Sequence, residues 1–210
     1  MDNAKIEKQN LEVEIKKQTE IKTQSEKKTV KKVNTKQIAL TGVLIALSFV
    51  MPYFMPTVTL PFTTFTLFSH MPVILAMFIS PFTAVFASIG TAIAFFIKTN
   101  PMVGLRAASH IFFTLPGAFA INKGLINKGL SIILGALVLG VIHGAAEIVV
   151  VAAYLGAGGK SFTLYYIMIE VGLITLMHHC VDYIVAFVVY QSCARARLLP
   201  NKFSIKNKSA

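Results

Sequence analysis

Ionisable side chains are rare in the apolar body of this chain, and those it has fall at spacings that could do chemistry. Between residues 38 and 194 there are three carboxylates and, inside an apolar run, one cation. They are Glu147, Glu170, Asp182 and Arg106. A charged group at membrane depth costs roughly 2.5–3.5 kcal/mol on insertion scales. Groups kept at that cost are expected to bind a ligand, move protons or pair with one another.

Helical spacing groups several of these side chains into pairs. Residues four apart share a helix face. Arg106 and His110 have this spacing, with Ser109 beside them, and so do His143 and Glu147. The guanidinium of Arg106 can hold a ligand carboxylate through a two-pronged hydrogen bond. The same arginine could instead pair with a glutamate of another helix and hold the helices together.

A second polar set comprises His178, His179 and Asp182, which also lie at helical spacing. We interpret it as a structural hydrogen-bond network between helices, separate from and deeper than the first set. Imidazole and carboxylate are also suitable ligands for a transition metal, but we assign no metal site and no cofactor. His70, which precedes Met71 and a proline, is expected at the outer surface, as a helix start or as part of a site.

Composition indicates a membrane protein. The chain has 210 residues, is 55% hydrophobic and 14% charged, and has a mean hydropathy of +0.67, whereas soluble domains are roughly 25% charged. The net charge of +11 is concentrated in the two ends. Basic residues that flank apolar spans mark the cytoplasmic side of a membrane protein. This distribution argues against nucleic-acid binding.

The apolar segments predict an all-α integral membrane protein, a six-transmembrane-helix bundle with an outer loop between helices 1 and 2. In that loop, residues 57–68 alternate Thr with apolar residues in a strand-like pattern. Its Phe62, Phe65 and Phe68 either pack within the loop or cover a ligand. The six predicted spans are residues 38–55, 69–79, 82–97, 102–121, 130–155 and 162–193.

The charge distribution divides the chain into three regions. Residues 1–36 form a Lys-rich tail, disordered or amphipathic, residues 37–195 form the membrane substrate-binding domain, and residues 196–210 form a basic tail. Six crossings bring both termini to one side, which the excess of Lys and Arg places in the cytoplasm. We therefore expect a multi-pass protein of the plasma membrane.

This orientation converts sequence position into depth. At about 1.5 Å per helical residue, the three groups Arg106, Glu147 and Glu170 lie roughly 8–12 Å below the outer surface. They come from three different predicted helices, and Asp182 lies deeper. The sequence therefore predicts a pocket in the outer half of the bundle for a small polar or anionic molecule.

Further motifs concern partners and excluded activities. Ala39, Gly42 and Ala46 form a stripe of small residues in the first span. Such stripes let helices approach closely in lipid, either within the bundle or at a docking face for another membrane protein. The sequence has no G-x-x-x-x-G-K-[ST] loop for ATP. It also has no H-E-x-x-H or G-x-S-x-G motif of hydrolases.

Together, these features resemble the substrate-binding (S) components of energy-coupling factor (ECF) vitamin transporters, over about residues 36–195. Residues 67–81 (LFSHMPVILAMFISP) and 105–110 (LRAASH) resemble the niacin-type members most. In the small-residue stripe, Gly42 departs from the family's Ala-x-x-x-Ala pattern. Because glycine is also small, close approach is preserved.

The resemblance implies a non-enzymatic subunit that binds a vitamin at its outer side and is thought to topple in the membrane to release it. It implies a membrane coupling protein and two cytoplasmic ATPase subunits as partners, docked at the stripe. Nicotinate would place its carboxylate on Arg106 and stack its ring on Tyr166, although pantothenate would satisfy the arginine equally. The candidate substrate-binding residues are Arg106, His110, Ser109, Glu147, His143, Glu170, Tyr166 and His70.

Two other functions stay open at this point. One is a proton- or metal-coupled transporter of small solutes that uses the buried His, Asp and Glu residues. The other is an intramembrane metalloenzyme that uses the same cluster as a metal site. Both require the histidines and carboxylates to lie close together, which only the fold can decide.

Overall fold

The computed structural model describes residues 11–20, 35–59 and 64–203. The chain divides into two units, Met1–Thr35 and Lys36–Ala210. In the first unit, residues 11–20 form helix α1, and every side chain of that helix is exposed. Most of the Lys-rich tail and Phe62 of the loop lie outside the described residues.

The rest of the described chain is predominantly helical. A short antiparallel hairpin follows the helix Thr35–Phe54 and pairs Val58 with Phe65. A π-helical segment precedes the last helix. The elements are α2 (Thr35–Phe54), β1 (Thr57–Thr59), β2 (Thr64–Thr66), α3 (Met71–Ile79), α4 (Pro81–Lys98), α5 (Pro101–Ala108), α6 (Ile111–Asn122), α7 (Leu130–Ala157), the π-helical segment (Tyr166–Leu173) and α8 (Ile174–Arg195).

Four helical segments in the described part of the chain are long and apolar enough to cross a membrane. They are α2, α4, α7, and the π-helical segment together with α8. The other two predicted spans are shorter than the roughly 20 residues of a crossing helix, because α3 has 9 residues and span 102–121 is divided into α5 and α6. The helices are consistent with a membrane-integral bundle, and six crossings stay a prediction.

Local sequence explains where α4 and α5 begin. The side chain of Ser80 accepts a hydrogen bond from the backbone N–H of Thr83, and Asn100 does the same for Val103, both at 3.1 Å. Each cap residue is followed by a proline at the first helical position, where the missing N–H has no cost. These short turns pack α4 against both α3 and α5.

Helix α3 is the centre of the bundle. It is apolar all round, and Val73, Ile74 and Met77 are fully buried. A helix with no polar face must be covered on every side, and α4, α6 and α8 surround it. Because α3 is held in this way, the turn that precedes it, including His70, is fixed inside the bundle.

The chain after α8 packs back onto the bundle. Phe203 is only 1% exposed, and its ring lies 5.3 Å from that of Phe78. The amino group of Lys202 donates a hydrogen bond of 2.6 Å to the carbonyl oxygen of Ile79. The first part of the predicted tail, residues 196–210, therefore packs against the helices as far as Phe203.

Helix α7 makes a close backbone contact with the π-helical segment. A Cβ atom at Gly144 would lie 2.9 Å from the carbonyl oxygen of Gly172. A backbone atom cannot move aside as a flexible side chain can, so only glycine permits this approach. The contact sets the distance between α7, with His143 and Glu147, and the segment that carries Glu170.

We predict that Gly144→Ala destabilises the purified protein. Forcing a methyl group against backbone costs about 1–3 kcal/mol and should lower the midpoint of thermal unfolding measured by circular dichroism in detergent. Gly156→Ala is the matched control, because it makes the same change on the same helix where a Cβ meets nothing within 4 Å. Equal midpoints for the two variants would show that the close contact is not required.

Candidate functional site

A small cavity lies at the end of the bundle that carries the hairpin and the α4–α5 turn. It encloses about 140 Å³. Five of the eight candidate substrate-binding residues line it. The ionisable lining residues are His70, Lys98, Arg106, His110, Glu147, Glu170 and His178. The predicted convergence of Arg106, Glu147 and Glu170 from three different elements is confirmed.

The central polar contact of the cavity joins Arg106 on α5 to Glu147 on α7. Both Nε and Nη2 of the arginine donate to Oε2 of Glu147, at 3.0 and 2.6 Å. The hydroxyl of Thr175 on α8 donates to the same oxygen at 2.6 Å. Both charged side chains are buried, and a buried ion pair persists only when its remaining atoms are hydrogen-bonded. The pairing of Arg106 with a glutamate is therefore present, and it joins three helices.

Glu170 is the second carboxylate of the cavity, and it is 6% exposed. Its Oε2 is buried without a hydrogen-bond partner among the described residues. A buried polar atom left unpaired costs about 1–3 kcal/mol. Glu170 lies in the π-helical segment, a conformation that often marks functional sites. A bound molecule that donates a hydrogen bond to Oε2 of Glu170 would therefore remove this cost.

The predicted span 102–121 is interrupted at Ser109 and His110. Both residues keep right-handed helical backbone angles, with φ of −67° and −55°. The Ser109 hydroxyl donates to the carbonyl oxygen of Arg106 at 2.7 Å. Among the described residues, Ser109 is outside the cavity lining, whereas His110 is part of it. Ser109 therefore supports the backbone that carries the arginine.

Asp182 on α8 holds the end of the hairpin segment. Its Oδ1 accepts the backbone N–H of Phe68 at 3.1 Å, and its Oδ2 accepts the backbone N–H of His70 at 2.9 Å. Oδ2 also lies 3.1 Å from Nδ1 of His70 and 3.2 Å from Nε2 of His178. This is the inter-helix network expected for Asp182, but its predicted separation from the other polar groups is wrong, because His70 lines the cavity.

Phe68 shows why this contact is needed. Its φ of 60° lies in the left-handed region, which costs a non-glycine residue roughly 1–2 kcal/mol. The hydrogen bond to Asp182 offsets that cost. The turn at Phe68 also directs His70 into the bundle, where it is 7% exposed, while its expected depth at the outer surface stays a prediction. His70 does precede α3 as its N-cap residue.

The histidines form one continuous buried cluster. The ring of His70 lies 4.6 Å from that of His110, 4.8 Å from that of His143 and 4.5 Å from that of His178. Nδ1 of His143 lies 3.3 Å from Nδ1 of His179.

The cluster contains two groups whose ligand atoms all lie within 4.8 Å of one another. They are His70, His110, His143 and Glu147, and, sharing the first histidine, His70, His178 and Asp182. Both groups have the ligand types that a transition metal takes.

Aromatic contacts differ from those expected. Tyr166 is half-buried against the apolar cluster around Val151 and is not among the described residues that line the cavity. Phe65 lines the cavity instead, with its ring 5.2 Å from that of His178. From the sequence, Phe65 was expected either to pack within the loop or to cover a ligand, and its position is compatible with both roles.

Thr175 was not predicted as a site residue, because nothing in an apolar run distinguishes a threonine that donates to a carboxylate.

The small-residue stripe of α2 faces away from the bundle. The opposite side of this helix is buried, and there the hydroxyl of Thr41 donates to that of Thr83 at 3.1 Å. A Cβ at Gly42 would meet nothing within 4 Å. Ala39, Gly42 and Ala46 are all exposed. The described residues therefore do not use this stripe for packing within the bundle.

The fold and the site define a helical membrane protein with a small polar cavity at one end of its bundle. Over 160 residues the chain is 29% identical to the niacin transporter NiaX of Lactococcus lactis subsp. cremoris (strain MG1363), covering 73% of this chain and 72% of that protein. The similarity confirms the resemblance to niacin-type S components. It supports a transport protein rather than an enzyme and does not favour the two alternative functions. No family model and no solved structure matches the chain.

We predict that Asp182→Asn loosens the hairpin end. An amide presents only one acceptor oxygen where Asp182 accepts from two backbone N–H groups, so the amides of Phe68 and His70 should exchange hydrogen faster. Hydrogen–deuterium exchange with mass spectrometry measures this. The control is Thr175→Val, which removes one buried hydrogen bond from the same helix without touching the hairpin. Unchanged exchange in Asp182→Asn would contradict the assigned role.

Proposed function

We propose that this chain is the substrate-binding membrane subunit of an ECF-type transporter for vitamin uptake and that its substrate is nicotinate. The observation that carries the proposal is the cavity in which Arg106, Glu147 and Glu170 meet, in a chain similar to a niacin transporter. The cavity is small, and its ionisable groups come from several different helical elements and from the turns before α3 and α6. Such a site suits one small charged ring molecule.

Charge balance in the cavity favours a molecule with both an acidic and a basic end. Arg106 and Lys98 supply two positive charges, and Glu147 and Glu170 supply two negative charges. A carboxylate alone would be attracted to the cations but repelled by the glutamates. Nicotinate carries a carboxylate for Arg106 and a ring nitrogen that can share a proton with Glu170. Pantothenate could donate to Glu170 through a hydroxyl or its amide N–H, but it has no basic nitrogen that could take up a proton and offset the negative charge of the two glutamates.

The membrane arrangement follows the same proposal. The chain crosses the plasma membrane several times, with both termini in the cytoplasm and the cavity at the outer side. In this proposal two cytoplasmic ATPase subunits supply the energy through a membrane coupling protein, and the sequence of this chain has no P-loop of its own. The exposed stripe of Ala39, Gly42 and Ala46 is the docking face, because small side chains let a partner helix approach closely.

We predict that Arg106→Gln weakens nicotinate binding about 10–100-fold, the equivalent of losing a charged hydrogen bond of roughly 1.5–3 kcal/mol. Binding of nicotinamide, which has the same ring without the carboxylate, should change little. Isothermal titration of both compounds into the purified protein measures the difference. The loss of affinity should therefore be specific for nicotinate, the ligand that carries the carboxylate.

Two further variants keep this test interpretable. Arg106→Gln leaves Glu147 buried without its partner, which can destabilise the fold by about 3–5 kcal/mol. The double variant Arg106→Gln/Glu147→Gln removes both charges and should fold yet still bind nicotinate weakly. Lys98→Gln removes the other cation of the cavity, which is exposed, and should have a smaller effect. Wild-type affinity in the double variant would overturn the role of Arg106.

We predict that Gly42→Phe separates binding from transport. The purified subunit should bind nicotinate normally, because Gly42 is exposed on α2 and away from the cavity. Uptake of labelled nicotinate by cells that also express the coupling module should fall at least about tenfold, since a bulky ring prevents close helix approach. Val43→Phe, also exposed but beside the stripe, is the control. Equal uptake by the two variants would argue against docking at the stripe.

A further inference from the structure

We propose that His70, His110, His143 and Glu147 form a binding site for a divalent transition metal ion of the zinc type, held as a resident ion beside the substrate cavity. The ligand atoms of these four buried residues all lie within 4.8 Å of one another. Three imidazoles with one carboxylate are a ligand set that zinc and its neighbours accept. The inference concerns the histidine cluster and does not depend on nicotinate being the substrate.

One spacing within the set already matches metal coordination. In a tetrahedral site with metal–ligand distances of about 2.0–2.1 Å, neighbouring ligand atoms are roughly 3.3 Å apart. Nε2 of His143 and Oε1 of Glu147 lie 3.4 Å apart and have the i, i+4 spacing on α7. His70 and His110 come from the two turns that precede α3 and α6, and their ligand atoms lie within 4.8 Å of the others, so metal binding would require their rings to shift toward the metal.

The atoms that face away from the set are held by other residues. Nδ1 of His70 lies 3.1 Å from Oδ2 of Asp182, which leaves Nε2 of that histidine for the metal. Oε2 of Glu147 accepts from Arg106 and Thr175, which leaves its Oε1. A carboxylate behind a ligating histidine is a recurrent arrangement that fixes the ring and raises its basicity.

Two ring nitrogens of the set, Nε2 of His143 and Nδ1 of His110, are buried and make no hydrogen bond among the described residues, although Nε2 of His143 lies 3.4 Å from Oε1 of Glu147. Each unpaired buried atom costs about 1–3 kcal/mol, and coordination to a metal would remove that cost. A metal would also add two positive charges to a cavity whose fixed charges otherwise cancel. That field would favour an anionic molecule in the cavity.

The test uses the untagged full-length protein in detergent, titrated with cobalt(II). We expect one cobalt ion per chain, with the visible absorption of a tetrahedral complex, and its displacement by zinc. His143→Asn and His110→Asn should each weaken cobalt binding at least about 100-fold, beyond the 10–100-fold typical of outer-shell changes. His178→Asn, which removes a ligand of the neighbouring group with Asp182 but none of the four proposed here, should retain the spectrum.

The possible outcomes are distinct. Absence of the tetrahedral spectrum in the wild-type protein, or its persistence in the double variant His110→Asn/His143→Asn, overturns the metal site and assigns water or protons to those nitrogens. If the spectrum is lost in His178→Asn but kept in His110→Asn and His143→Asn, the proposed site is overturned in favour of the neighbouring group of His70, His178 and Asp182. Thermal unfolding of each variant separates misfolding from ligand loss. Nicotinate titrated into chelator-treated protein tests the substrate separately, so either conclusion can fail without the other.

Discussion

The buried carboxylate of Asp182 is the contact on which the site depends. It is fully buried and accepts the backbone N–H groups of both Phe68 and His70, so it joins α8 to the chain that leaves the hairpin. Those hydrogen bonds hold Phe68 in a left-handed conformation and direct His70 inward. They act together with the packing of α3, which holds the turn before it inside the bundle. One aspartate therefore contacts both the segment that leaves the hairpin and the histidine that lines the cavity.

The pair of Arg106 and Glu147 has a different role, because it joins three helices at the cavity where the proposed ligand would bind. One oxygen of Glu147 accepts from the arginine twice and from Thr175 once, which joins α5, α7 and α8 at the level of the cavity. A buried pair of this kind is costly to break from one side only. The arginine is thereby kept in place whether or not a ligand is present, and such preorganisation lowers the cost of binding. Structural pairing and ligand recognition are compatible at this residue.

Much of this arrangement follows from local sequence, and the remainder depends on tertiary contacts. Proline after Ser80 and after Asn100 predicts the helix starts, and the convergence of Arg106 and Glu170 follows from spacing and depth alone. The π-helical conformation around Glu170 has no signal in a single apolar run. The inward turn at Phe68 is equally hidden, because it results from a carboxylate far along the chain. Local rules succeed where a residue's partners are its neighbours, and they fail where one distant side chain changes the backbone.

The same limit explains why the sequence predicts two separate sets of histidines. Depth along straight helices separates His178 and Asp182 from the groups nearer the surface, but the turn before α3 carries His70 down between them. His70 then contacts His110, His143 and His178 at once. Glu147 connects this cluster to the cavity, since one of its oxygens meets Arg106 and the other lies beside His143. Any ion or proton that binds the histidines therefore changes the charge that a molecule in the cavity experiences, because His70, His110 and His178 line the cavity together with Glu147.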